Sequence, residues 1–340
     1  MKRLLFALLL LSTNPCFAQQ ATPVTAPGFA STPRQIVQKK EILYRVIDPA
    51  APVDPTVQMM DVVIGKGGTR DLHISLTWPT APPVPGHPLP AILFVHGGGW
   101  YSGPYTANPA VGYAKKGYFT GSIEYRLTPE AKWPAQIEDC KLAIRWLRAN
   151  AAKYNVDPNR IGVWGMSAGG HLVALLGSTD DQPQLEGTGG YPGVSSKVQA
   201  VVDFFGPTDL RDGTFTTGID TMTDAERDKL AQLPVQLIGK TLKEAPELYA
   251  QASPITYVHQ GMPPFLVVHG DKDPAVSLQQ SKTFVEAMQK VGAPVEFITV
   301  RNGGHGLGSV VPGQLSIPNA DDAERVMDAF WEKNLQNKPQ

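Results

Sequence analysis

The chain is poor in cysteine, in unbalanced charge and in long apolar runs. Only two cysteines, Cys16 and Cys140, occur in 340 residues. Because Cys16 lies in an N-terminal segment that we predict to be removed, an intramolecular disulfide is excluded and the core must supply the stability. Lysine and arginine total 30 against 31 acidic residues, without a basic run, so the electrostatic footprint of a nucleic-acid-binding protein is missing. No His, Cys and carboxylate cluster has the spacing of metal ligands, and we expect neither a metal nor an organic cofactor.

The N-terminus has the three parts of a secretory signal peptide. Met1–Arg3 carries positive charge, Leu4–Leu11 is apolar, and small residues lead to Ala18. The apolar part is too short to span a bilayer, so we predict cleavage after Ala18, export to the periplasm or medium, and no membrane anchor in the mature chain. Cys16 raises a lipoprotein alternative, although Thr13–Pro15 lacks the usual leucine and small residues before such a cysteine.

Strand and helix patterns alternate along most of the remaining chain. Asp71–Trp78 alternates polar and apolar residues, as an early antiparallel strand does. We predict further strands at 91–95, 119–125, 161–164, 198–205, 265–270 and 295–300, and a helix at 135–152 that contains Cys140 on its apolar stripe. This order favours an α/β fold with a mostly parallel, doubly wound sheet.

A Gly-x-Ser-x-Gly sequence lies between a predicted strand and a predicted helix. Gly165-Met166-Ser167-Ala168-Gly169 follows the run 161–164 and precedes the helix-like run 171–176. Flanking glycines allow two backbones to approach a sharp turn, which can hold a strained serine with its hydroxyl exposed. We therefore predict that Ser167 is a nucleophile.

Three consecutive glycines follow the predicted strand 91–95, in the sequence His96-Gly97-Gly98-Gly99-Trp100. Backbone amides in such a loop can stabilise the negative charge that develops on a carbonyl oxygen under attack. We assign this oxyanion role to the amides of Gly98 and Gly99, with the amide of Ala168 as a third donor. The alternative is a flexible turn without chemistry.

An acid and a base are expected after the last two predicted strands. Asp271 and Asp273 both follow 265–270, where active-site loops of parallel sheets lie. We prefer Asp273, because Asp271 can close the turn with its own side chain. His305, flanked by glycines after 295–300, is the candidate base, since an imidazole can accept a proton near neutral pH. We interpret the other candidates considered, His73, His87 and His171, as structural.

These motifs together resemble the bacterial esterase group of the α/β-hydrolases. The sequences HGGGW, EYRLTPE, GMSAGGH, HGDKDP and GGHG, across about 60–335, are similar to the hormone-sensitive-lipase-like branch and more closely to feruloyl and acetylxylan esterases. The resemblance implies the α/β-hydrolase fold and a serine carboxylesterase with Ser167, Asp273 and His305 as its triad. Glu124 stands where lipase-like relatives often have Asp, which leaves the sub-branch open.

We accordingly divide the chain into a signal peptide (1–18), a lead-in (19–59) and one α/β-hydrolase catalytic domain (60–337). Segment 206–264 carries two capping-box patterns, Thr223 with Glu226 and Thr241 with Glu244, and is expected to wall the substrate pocket. The alternative is a surface insertion that never meets substrate. Glycine-rich 65–68 is predicted as a loop. Trp100 and Tyr101 either line the acyl pocket or pack beneath the glycine loop.

The expected reaction is hydrolysis of short-chain or aromatic acyl esters through an acyl-enzyme, with acetyl or feruloyl esters of plant polysaccharide suggested by the resemblance. An amidase-type hydrolase, a peptidase or formamidase, would use the same triad. A non-catalytic binding protein on a hydrolase scaffold is the second alternative. The sequence does not define the oligomeric state.

Overall fold

The computed structural model describes residues 54–81, 84–106, 108–180, 182–212 and 222–336. The predicted signal peptide and most of the predicted lead-in therefore lie outside the described residues. Within the described ranges, every helix is too short or too polar to cross a lipid bilayer.

One sheet of eight strands forms the centre of the described structure. Its strand order is β1-β2-β4-β3-β5-β6-β7-β8, with β1, β2 and β4 pairing antiparallel and all other neighbours parallel. The strands are β1 (Val57–Gly67), β2 (Arg70–Pro79), β3 (Leu89–Val95), β4 (Phe119–Ile123), β5 (Val156–Met166), β6 (Ala200–Phe204), β7 (Phe265–Gly270) and β8 (Val295–Val300). The predicted fold class, a mostly parallel sheet with an antiparallel N-terminal part, is confirmed.

Helices cover both faces of the sheet. They are α1 (Val111–Lys115), α2 (Ala135–Ala149), α3 (Ala168–Ser178), α4 (Asp224–Ile238), α5 (Pro246–Gln251), α6 (Leu278–Lys290) and α7 (Ala320–Leu335). Alternate residues of each central strand enter two different apolar clusters: Leu93 joins residues of α2, α3 and α6, whereas Phe94 joins residues of α1 and α7. Burial on both faces explains why these strands read as continuous apolar runs rather than alternating ones.

The N-terminal edge differs from the sequence prediction. β1 begins at Val57, so the folded domain starts before residue 60, within the predicted lead-in. Gly65 and Gly67, predicted to lie in a loop, belong to β1, where the register shifts between Val63 and Gly65. A Cβ on Gly65 would lie 2.6 Å from the Gly189 carbonyl oxygen, so the glycine permits a close backbone contact beside this β-bulge.

The predicted helix 135–152 is shorter than expected. α2 ends at Ala149, and a separate 3₁₀ helix covers Ala151–Tyr154. Asp157 and Pro158, predicted to end the helix, instead lie inside the long strand β5. Cys140 is fully buried on α2, in agreement with its predicted packing role.

Segment 206–264 contains α4, α5 and a 3₁₀ helix at Pro254–Tyr257, while residues 213–221 lie outside the described ranges. The Thr223–Glu226 capping box is present and begins α4, as predicted. The Glu244 carboxylate also accepts hydrogen bonds from the Thr241 backbone and hydroxyl. That second pair closes a single turn, however, because the next helix begins only at Pro246.

Candidate active site

Ser167 occupies the sharp turn between β5 and α3. Its φ of 55° and ψ of −121° lie in a region that costs a non-glycine residue of order 1–3 kcal/mol. A Cβ on Gly165 would lie 2.4 Å from the Gly169 carbonyl oxygen, and one on Gly169 would lie 2.0 Å from the Val95 carbonyl oxygen. Both flanking glycines are therefore needed for the strand and helix to approach. The Ser167 amide donates to the Phe204 carbonyl of β6 at 2.9 Å, which fixes the turn to the sheet.

The loops after β7 and β8 bring Asp273 and His305 together. His305 Nδ1 lies 2.7 Å from Asp273 Oδ2, while the Asp273 side chain is fully buried and 28% of the His305 side chain is exposed. Asp271 makes no hydrogen bond or ion pair with this histidine in the described structure. Its carboxylate instead accepts the Asn302 amide at 2.7 Å, which joins the loop after β7 to the loop after β8. The geometry thus favours Asp273 as the orienting acid.

The environment of Asp273 holds it ionised. Burial alone raises the pKa of this carboxyl, but the charge of His305 and hydrogen bonds from His269 and His305 outweigh burial and hold that pKa well below its usual range. Oδ1 also accepts the amides of Ala275 and Val276 at 2.8 and 3.0 Å. A fixed anion beside His305 Nδ1 stabilises the imidazolium that forms when Nε2 accepts a proton.

The glycine loop presents two free amides. Gly98 and Gly99 have φ of 109° and 60°, and in the described chain neither amide donates to a protein acceptor. The Gly98 carbonyl accepts the amides of Tyr101 and Ser102, which closes the loop beneath these N–H groups. The Ala168 amide stands in the first turn of α3, where an N–H has no partner within the helix. These are the three donors that the sequence assigns to an oxyanion.

Trp100 and Tyr101 have different environments. Trp100 is 1% exposed, and its indole donates to His171 Nδ1 at 3.2 Å. It therefore packs under the glycine loop, which is one of the two positions that the sequence left open for it. Tyr101 remains at the surface, with the ammonium of Lys229 5.8 Å from its ring centre.

Segment 206–264 borders the glycine loop. A Cβ on Gly99 would lie 3.1 Å from the buried side chain of Leu233 on α4. The Trp133 amide donates to the Leu237 carbonyl at 2.9 Å and ties the same helix to the main domain. These contacts support the predicted position of the segment beside the pocket over that of a remote insertion.

Two of the three histidines interpreted as structural have side-chain contacts within the fold. His73 pairs with Asp61 at 2.7 Å across β1 and β2, whereas His87 is exposed between β2 and β3. His171 is fully buried, with Nε2 2.6 Å from the Ala252 carbonyl oxygen, and burial lowers its pKa to about 4. A neutral, enclosed imidazole of this kind is unsuited to a proton-transfer role.

Sequence reasoning missed two residues near the Asp273–His305 pair. Phe205 follows β6 with φ of 45°, and its ring centre lies 4.7 Å from that of His305. His269 lies in β7, and its Nε2 is 3.3 Å from Asp273 Oδ2, the oxygen that also contacts His305. The sequence could have indicated His269, because a histidine is unusual inside a buried apolar run. Phe205 could not be distinguished from any other apolar residue at the end of a strand.

The fold is that of an α/β-hydrolase, with Ser167 and the Asp273–His305 pair at one edge of the sheet, and the comparisons with known proteins agree. The BD-FAE family model matches residues 80–288, which is more than half of the sequence. The chain belongs to the BD-FAE family. The matched region includes Ser167 and Asp273 and ends before His305.

Named esterases are among the similar proteins. Esterase LipC of Mycobacterium tuberculosis is 36% identical over 232 residues, covering 66% of this chain and 54% of LipC. Esterase LipQ of the same organism is 33% identical over 255 residues, covering 73% and 57%. The chain thus spans about half the length of these curated relatives. A truncated carbohydrate esterase from gut microbiota superposes with a TM-score of 0.67 at 30% identity, covering 83% of this chain and 98% of that chain.

Proposed function

We propose that the protein is an exported serine carboxylesterase. The observation that carries the proposal is the strained Ser167 at the end of β5, on the sheet edge where β7 and β8 hold the Asp273–His305 pair. Free amides at Gly98 and Gly99 supply electrostatic stabilisation at the same edge. Similarity to named esterases supports ester bonds as the substrate class.

In the proposed reaction, His305 Nε2 accepts the Ser167 proton as the serine oxygen attacks the ester carbonyl carbon. The amides of Gly98, Gly99 and Ala168 stabilise the tetrahedral oxyanion. The imidazolium then donates its proton to the leaving alkoxide, and an alcohol departs from the acyl-enzyme. Water, deprotonated by His305, attacks the acyl-serine carbonyl carbon, and the imidazolium returns the proton to the Ser167 oxygen as the carboxylic acid departs. Throughout the cycle Asp273 keeps the imidazole in one orientation and balances its charge.

For the substrate, we infer acetyl or short aromatic acyl esters carried on plant polysaccharide. The carbohydrate esterase among the structural neighbours supports this substrate class. The partial exposure of His305 and Ser167 also supports it, because a polymeric alcohol must reach the serine without entering a closed tunnel.

A substrate panel tests the ester class and the acyl length together. Purified protein is assayed with para-nitrophenyl esters of increasing acyl length, acetylated xylan and methyl ferulate, and with matched para-nitroanilides. Ser167→Ala is the control for background hydrolysis. We expect the highest kcat/KM on acetyl or feruloyl esters and none above background in the variant. Better turnover of the anilides would favour the amidase alternative.

Labelling separates an enzyme from a binding protein. Paraoxon phosphorylates the activated serine of serine hydrolases, so one diethylphosphoryl group on Ser167, found by peptide mass spectrometry, is expected. Absence of labelling together with retained affinity for acylated sugars would favour a non-catalytic binding protein. Ser167→Ala again provides the matched control.

The export proposal depends on the N-terminal pattern alone. Expression of the full chain in a Gram-negative host, followed by N-terminal sequencing of the periplasmic and medium fractions, tests it. We expect a mature chain that begins at Gln19. Full-length protein confined to the cytoplasm would contradict export without affecting the proposed chemistry.

A further inference from the structure

A second histidine contacts the carboxylate of the Asp273–His305 pair. His269 is fully buried in β7, and its Nδ1 lies 2.7 Å from the Ser281 hydroxyl of α6. Its Nε2 lies 2.9 Å from the Val276 carbonyl oxygen. The same Nε2 is 3.3 Å from Asp273 Oδ2, the oxygen that also contacts His305.

These contacts determine where the His269 ring carries hydrogen. Carbonyl and carboxylate oxygens only accept, so an unprotonated Nε2 could bond to neither Val276 nor Asp273. Ser281 can donate to Nδ1 of a neutral ring or accept from Nδ1 of a charged ring. Nε2 is therefore protonated in either state, and its N–H dipole faces the carboxylate.

We propose that His269 is a positioning residue for Asp273, an inference that rests on the esterase function proposed above. Its Nε2–H holds the Val276 carbonyl, while the Val276 amide donates to Asp273 Oδ1 at 3.0 Å. Two hydrogen bonds thus fix the turn that carries Asp273: one from the Val276 amide to the carboxylate, and one from His269 of β7 to the Val276 carbonyl. The same N–H stabilises charge on Oδ2, so His305 meets an ionised carboxylate in one orientation.

The role predicts a direction for the pH dependence. Without the Nε2–H, Oδ2 loses a nearby partial positive charge and interacts more strongly with protonated His305. The acid limb of the kcat/KM profile, which reports the catalytic imidazole, then moves to higher pH. Asp203 on β6 is the other carboxyl whose charge interacts with His269, so Asp203→Asn serves as the control for indirect effects.

Two variants of similar size separate positioning from packing. The side-chain amide of glutamine can reach the Nε2 site, whereas that of asparagine reaches only the Nδ1 site beside Ser281. We expect His269→Asn to lower kcat by about 10–100-fold, as loss of an outer orienting partner does, with KM within about 2-fold and the acid limb raised. His269→Gln should recover kcat to within about 5-fold of the wild-type value. Circular dichroism confirms that both variants fold.

Equal losses in the two variants, or an unmoved acid limb, would overturn the proposal. A measurement on the native protein keeps it testable if both variants misfold. Long-range ¹H–¹⁵N spectra of ¹⁵N-histidine-labelled protein should show His269 protonated at Nε2, and an unprotonated Nε2 would refute it. That spectrum does not depend on turnover. If wild-type protein neither hydrolyses esters nor reacts with paraoxon, the proposed function is wrong. The spectrum alone then decides whether His269 is protonated at Nε2.

Discussion

Replacing Asp273 by Asn should disable the base. The asparagine Oδ1 can still accept the Ala275 and Val276 amides, but an NH₂ group then faces His305 at the 2.7 Å contact. Because that NH₂ can only donate, His305 must place its hydrogen on Nε2 and can no longer accept the Ser167 proton. The same change in another Ser-His-Asp enzyme costs about 10⁴ in kcat, which corresponds to about 5.4 kcal/mol of transition-state stabilisation.

The matched control is Asp271→Asn. Asp271 uses one oxygen to accept the Asn302 amide, and asparagine retains that acceptor, so kcat should fall by no more than about 3-fold. Both variants are assayed with para-nitrophenyl acetate at saturating concentration, and thermal unfolding verifies the fold. A larger loss in Asp271→Asn, or more than about 1% residual kcat in Asp273→Asn, would refute the assignment of the acid.

Three further predictions address strain, the oxyanion loop and a buried acid. Ser167→Gly should abolish turnover yet raise the unfolding free energy by about 1 kcal/mol relative to Ser167→Ala, because glycine relieves the φ of 55°; equal stability of the two variants in urea titrations would contradict this. Gly98→Ala should lower kcat by about 10²–10³-fold with little change in KM, since its Cβ would lie 2.1 Å from the Ser102 carbonyl oxygen and must displace the loop; unchanged kcat would show that this loop does not serve the reaction. Burial raises the pKa of Asp203 from 3.8 to about 6, so the native state holds a proton that the unfolded chain releases, and stability falls as pH rises from about 4 through 6. Compared with Asp203→Asn, wild-type protein should lose about 3 kcal/mol over that interval in urea titrations, and parallel pH profiles would exclude the effect.

The central part of the fold was readable because its strands are buried on both faces. Runs such as 91–95 and 265–270 are apolar, short and bounded by turns, so their type and order follow from the sequence alone. The edge strand β1 could not be predicted from the sequence. Only its residues Val57, Ile64 and Gly67 are buried, which leaves no alternation of polar and apolar positions to detect.

The candidate site shows the same division between local and distant information. The motifs around Ser167, Gly98 and Gly99 predict turns whose backbone requires those residues. No local motif predicts the positions of Phe205 and Trp100, because these depend on positive φ values and on contacts with distant segments. Asp273 lay between these cases, since the sequence offered two carboxylates and only the path of the loop separated them.

The strand order gives the site a further property. Ser167 follows β5, Asp273 follows β7 and His305 follows β8, with β6 between the first two, so the groups share one sheet edge only when four adjacent strands pair in register. Neighbouring strands are about 4.8 Å apart, and a shift by one residue in the pairing of β5, β7 or β8 would move its reacting group away from the other two. Recovered ester hydrolysis after dilution from urea would therefore report complete assembly of the central sheet, and it should lag behind the return of helical circular dichroism.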